Sequence, residues 1–140
     1  MTTEKISLLK MLVKNPKLIF FIDALGAGLT LAVLSIVSVR FPSYFGMPKP
    51  ALFTLAIIAL AFFMYSSRCY RLVNKNWRPF LRLIMILNAS YTFLSLGLVI
   101  YHFDGLTTLG LTYFLLEIII IFLIVYLEWR TITSSLTQSE

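Results

Sequence analysis

Apolar positions along the chain gather into four long runs, at residues 18–39, 51–67, 80–101 and 106–127, separated by short polar stretches. A helix needs about 20 residues to cross roughly 30 Å of hydrocarbon, and three of the runs meet that length. The run at 51–67 is the short one, but Pro50 can open it and Arg68 can snorkel, so spanning stays feasible. A transmembrane strand would alternate apolar and polar residues over about ten positions, and none of the runs does. The pattern predicts an all-α polytopic membrane protein, an antiparallel bundle of four transmembrane helices, with residues 1–140 as a single membrane domain. The borders carry matching punctuation. Asn15-Pro16 reads as an N-cap followed by proline at the first helical position. Pro48 with Pro50, Arg78-Pro79 and Asp104-Gly105 mark the later turns, and loops this short make sequence neighbours antiparallel neighbours in space.

Composition agrees with lipid as the solvent. Of the 140 residues 59% are apolar and 13% charged, too little charge to cover the surface of a soluble domain. The net charge of +6 does not point to nucleic acid, because the basic residues flank the apolar runs instead of lining one face. That placement suits anionic lipid head groups. Lys5, Lys10, Lys14, Lys17, Arg68, Arg71, Lys75, Arg78, Arg82 and Arg130 fall on one side of the four-span topology. Only Arg40 and Lys49 fall on the other, so the N-terminus, the second loop and the C-terminus are expected in the cytoplasm of a bacterial cell, with the chain in the inner (plasma) membrane. Trp77 and Trp129 then lie near the inner surface, and Tyr44 and Tyr101 near the outer.

Ahead of the first run, residues 1–17 are basic. Ile6, Leu9 and Leu12 or Val13 recur at helical spacing, which predicts an amphipathic segment on the inner leaflet. The apolar run that follows is too long for a signal-peptide core and has no small-residue cleavage pattern, so the segment is expected to be retained. Asp23-Ala24 and Asn88-Ala89, with Arg40-Phe41 and His102-Phe103, hint at a duplicated hairpin whose halves run parallel.

Ionisable groups inside a bilayer cost several kcal/mol unless paired, and they mark candidate sites. Asp23 is expected roughly 8 Å below the inner surface, Asn88 about 12 Å and Glu117 about 15 Å. These depths permit one cluster, with Tyr113 a turn before Glu117 and Tyr65, Ser66 and Cys69 at the inner end of helix 2. On helix 1, Asp23, Ala27 and Thr30 share a face; on helix 3, Asn88, Thr92, Ser95, Val99 and His102 follow the helical period across the bilayer. Glu117, Asp23, Asn88 and Tyr113 form the expected ion or proton site, and Thr92, Ser95 and His102 its polar path. The plainer alternative is structural: such residues glue helices for roughly 1 kcal/mol or less apiece, Asp23 pairs with Arg82 or Arg68, and Glu117 bonds to Tyr113 or Asn88. Ala24, Gly28 and Ala32 repeat every four positions and predict a close helix contact, within the chain or in a homodimer.

One His and one Cys supply no closed zinc or haem site, and phosphate loops and nucleophile elbows are missing from the sequence. No enzyme, cofactor or metal is therefore expected. The segments Phe21-Ile22-Asp23-Ala24-Leu25-Gly26-Ala27-Gly28, Arg40-Phe41 with Phe45-Gly46-Met47-Pro48, and Asn76-Trp77-Arg78-Pro79-Phe80 resemble motifs of small uncharacterised bacterial four-helix membrane proteins. That resemblance spans residues 18 to about 128. It implies the fold and a bacterial inner membrane, and no activity. Two functions stay open: movement of a proton, ion or small solute along the polar seam, or a non-catalytic accessory role beside a membrane-protein partner. The deciding observation is whether a cavity reaches Glu117.

Overall fold

The computed structural model of the chain describes residues 2–73 and 75–138, without the side chains of residues 2, 5, 6, 8, 9, 13 and 138. Six α-helices follow in order: α1 (Thr2–Lys14), α2 (Lys17–Arg40), α3 (Pro42–Phe45), α4 (Lys49–Leu72), α5 (Arg78–Tyr101) and α6 (Thr108–Gln138). A 3-10 turn, Phe103–Gly105, precedes α6, and there is no strand among the described residues. Helices α2, α4, α5 and α6 are each long and apolar enough to cross a membrane, as backbone groups in lipid require. The chain is a four-helix polytopic membrane protein.

Two of the helices outrun their apolar stretches. α4 continues a full turn past residue 67, so its 24 residues reach about 36 Å and remove the shortfall. α6 runs 31 residues instead of stopping near 127, because nothing in Glu128-Trp129-Arg130-Thr131 breaks a helix. Asn15 makes no side-chain cap, and Pro16 itself takes the N-cap place of α2. α1 is helical as expected, but it packs on the extended end of α6, where Leu12 joins a buried cluster with Ile19, Leu81 and Ile132. Ile6, Leu9 and Val13, expected on the same face, lie outside the described side chains.

The spans form two hairpins, α2 with α4 and α5 with α6, each packed more closely within itself than against the other. Small residues explain the first. Ala24 is buried, and a methyl added to Gly28 would stand 3.1 Å from the Phe63 ring of α4, whereas Ala32 is exposed. The close approach is thus made inside the chain. Gly28→Ala should shift stability by no more than about 1 kcal/mol, because the half-exposed ring can turn and alanine favours the helix. Gly28→Leu should cost about 1–3 kcal/mol by forcing the pair apart, read as a lower unfolding midpoint in detergent. A leucine variant that melts with the wild type would show that the two helices are not in close contact.

At the end away from the termini the two connecting loops are clasped. Thr107 N–H donates to the Phe45 carbonyl at 3.1 Å, its hydroxyl donates to the Tyr44 carbonyl, and the same hydroxyl accepts from Gly110 N–H at 3.0 Å, capping α6. Gly46 turns the chain with φ of 74°, a left-handed value that glycine adopts without strain. Phe45 is driven inward, its ring 4.9 Å from Tyr113 and 5.9 Å from Phe114.

Candidate functional site

Between the hairpins lies a cavity of about 290 Å³. All four spans line it: α2 with one face between Asp23 and Val33, α4 with Ala59 and Phe62, α5 with Asn88 and Tyr91, and α6 with one face between Tyr113 and Ile124. Most of the wall is aliphatic. The polar exceptions stand at its two ends.

At the end nearer the termini, one side chain from each span meets its neighbours. Asn88 Nδ2 donates to Asp23 Oδ1 at 2.6 Å and to Glu128 Oε1 at 3.3 Å, and Ser66 Oγ donates to Asp23 Oδ2. All four residues are buried, and Glu128 is wholly inaccessible with its Oε2 unpartnered. Neither Arg68 nor Arg82 reaches Asp23; both point outward, so the ion pair considered for Asp23 is replaced by a hydroxyl and an amide. Cys69, one turn beyond Ser66, is a buried free thiol nearby.

Glu117 occupies the other end. Tyr91 OH donates to its Oε1 at 3.3 Å, Thr30 and Tyr113 flank it, and its Oε2 is buried with no partner. Glu117 is therefore separated from Asp23 and Asn88. It faces the level of Thr30, seven residues and about 10 Å along α2 from Asp23. The single expected cluster is two clusters with the cavity between them.

The expected polar path follows another course. Thr92 spends its hydroxyl on the carbonyl of Asn88 at 2.9 Å, and Ser95 is fully buried with no hydrogen-bond partner. His102 sits at the C-cap of α5 with its ring 4.8 Å from Tyr101. None of the three lines the cavity; Tyr91 does. The neighbouring turn of α5 faces the space because Asn88 and Tyr91, three apart, share a face.

Glu128, like Tyr91, lies outside the set of residues expected from the sequence. The signal for Glu128 was spacing: eleven residues after Glu117 is close to three helical turns, which returns it to the same face. Thr131 and Ser135 continue that stripe, all three buried. Ser135 also accepts from Arg78 Nε at 3.0 Å, tying the end of α6 to the start of α5.

Fold and site together define a class: a four-helix polytopic membrane protein with a carboxyl group at either end of a cavity between two hairpins. Comparison with protein-family profiles, with curated proteins and with solved structures finds no match to this chain.

Proposed function

We propose that this protein moves a proton, an ion or a small solute across the membrane by way of the cavity, with Glu117 as the group that takes up and releases charge. Asp23 is its second acidic contact, steadied by Asn88. The reading is carried by one observation, the buried and unpartnered Oε2 of Glu117 on the cavity wall. An ionised carboxyl this deep in the membrane, with hydroxyls as its neighbours and no cationic side chain beside it among the described residues, costs several kcal/mol, so Glu117 is read as holding either a proton or a cation. Exchange of one for the other is the step a carrier needs.

Reconstituted in liposomes, the wild type should carry protons or a small cation, and Glu117→Gln should abolish that flux while leaving the fold intact. Gln keeps the shape and the bond from Tyr91 but cannot exchange a charge. Flux that persists in Glu117→Gln, or none in the wild type, leaves the second reading standing: an accessory protein whose polar residues hold helices together. The Asp23, Ser66, Asn88 and Glu128 contact favours that alternative, since it joins all four spans.

The proposed setting is a bacterial inner membrane with both termini in the cytoplasm, on the ten-to-two split of basic residues. In a Cys69→Ser background, cysteines placed at Ser43 and Asp104 should react with an impermeant thiol reagent on intact cells. Reaction at Lys75→Cys in their place reverses the topology.

A further inference from the structure

We infer that the cavity receives a small organic ammonium ion, one positive charge on an apolar body, admitted from the hydrocarbon between α2 and α6. This rests on Glu117 as the charge-exchanging group and names what it exchanges a proton for.

The acidic end is built for such a head group. Around the free Oε2 of Glu117 the cavity is lined by the aromatic rings of Phe62, Tyr91 and Tyr113, with Phe62 and Tyr91 edge-to-face at 5.9 Å. A carboxyl among several aromatic side chains is the chemistry that holds substituted ammonium, through charge pairing and cation–π attraction. A small hard metal ion instead needs about six oxygens in its shell. Around Glu117 the oxygens are one carboxyl, one threonine and two phenols; Asp23 and Asn88 stand at the far end, already bonded to each other, and between the two ends the wall is hydrocarbon from residues such as Ala27, Ile121 and Ile124.

The route points the same way. No lining residue belongs to the first or last turn of a span. The loop clasp closes one end, and the Asp23, Asn88 and Glu128 contact closes the other. The exposed part of the lining is Leu29 of α2 and Leu116 and Ile120 of α6, exposed by 67%, 55% and 54%, on two helices that barely touch. Leu29 and Ile120 each lie twelve residues from the start of their helices, about 18 Å along, so the mouth opens at mid-membrane. A ligand arriving there crosses hydrocarbon, at a desolvation cost far lower for one diffuse charge on an apolar body than for a small, tightly hydrated inorganic ion. Lipid head groups lie at the membrane surface, not at this depth, and a space of about 290 Å³ is too small for a whole lipid.

The test uses equilibrium dialysis of the purified full chain in detergent against radiolabelled benzyltrimethylammonium. Tetramethylammonium (the same charge without the ring) and neopentylbenzene (the same shape without the charge) serve as competitors. Saturable binding is expected, at least tenfold weaker in Glu117→Gln, with tetramethylammonium at least tenfold poorer and neopentylbenzene unable to compete. Leu29→Trp changes an exposed position, so the chain should fold normally and, in a filter-binding time course with the same label, associate at least tenfold more slowly. Binding undiminished in a folded Glu117→Gln, association unchanged in Leu29→Trp, or equal affinity for tetramethylammonium overturns the inference. Glu117-dependent flux of protons in liposomes together with no benzyltrimethylammonium binding overturns the ligand class alone. Absence of both removes the transport reading with it.

Discussion

Gly110→Ala should destabilise the fold severely, although the change adds one methyl group. A methyl at Gly110 would overlap the carbonyl oxygen of Phe45 and stand 2.8 Å from Phe45 Cα, both backbone atoms that cannot swing aside. Separation of α3 from the first turn of α6 is the only relief, and it breaks the bond from Thr107 N–H to Phe45 along with the seat of the Phe45 ring. Overpacking of this kind costs on the order of 3 kcal/mol. Lipid supplies no hydrophobic drive to reseal the gap, because the displaced surfaces are as content in acyl chains as in each other. Gly97→Ala is the matched control: nothing lies within 4 Å of its added methyl, so it should be neutral or stabilising by up to about 1 kcal/mol. Size-exclusion profiles and unfolding midpoints in one detergent compare the two. Equal behaviour would mean that the loops do not touch. Because Phe45 also packs on Tyr113, a partly folded Gly110→Ala should lose ligand binding as well.

That clasp had no trace in the sequence. Gly46, Gly105 and Gly110 are ordinary turn or helix glycines until the two loops are brought together, and the crossing is a tertiary fact that no local period reports. The spans were legible because lipid imposes length and apolarity on any helix that crosses it. The meeting of Asp23 with Asn88 was legible too, since helical rise gave their depths and the period gave their faces. Glu117 was misplaced into the same cluster because depth counted from the end of the apolar run took residue 127 as the end of the helix. α6 continues to Gln138, so Glu128 takes the level that Glu117 was assigned. Hydropathy reports where charged side chains begin, and Glu128-Trp129-Arg130 reads as an interfacial flank by that measure. Helix formation has no reason to stop there, and a wholly buried glutamate at the flank is a case where a partner outweighs hydropathy.

Asn88→Leu should be the most damaging single change in the bundle interior. The amide NH₂ of Asn88 is shared between Asp23 at 2.6 Å and Glu128 at 3.3 Å, and these are the contacts that bring α2, α5 and α6 together at that level. Leucine is close in size, so the loss is chemical and not a cavity. It strips a donor from two buried carboxyl groups, and an orphaned buried acceptor costs about 1–3 kcal/mol, more if charged. Two such groups make a loss of roughly 2–6 kcal/mol. Ser66 still serves Asp23, but Glu128 has no other donor, and its second oxygen is already unpartnered. Removing the carboxyls together with the donor should cost less than removing the donor alone, because only the Ser66 hydroxyl is then left to satisfy, and it can turn to a carbonyl of its own helix. The triple variant Asn88→Leu, Asp23→Leu, Glu128→Leu should therefore unfold at a higher temperature than Asn88→Leu by itself. If the single variant is as stable as the wild type, water or another group reaches these carboxyls, and Asn88 does not hold the helices. If the triple variant is the less stable of the two, the carboxyls contribute through contacts other than those with Asn88.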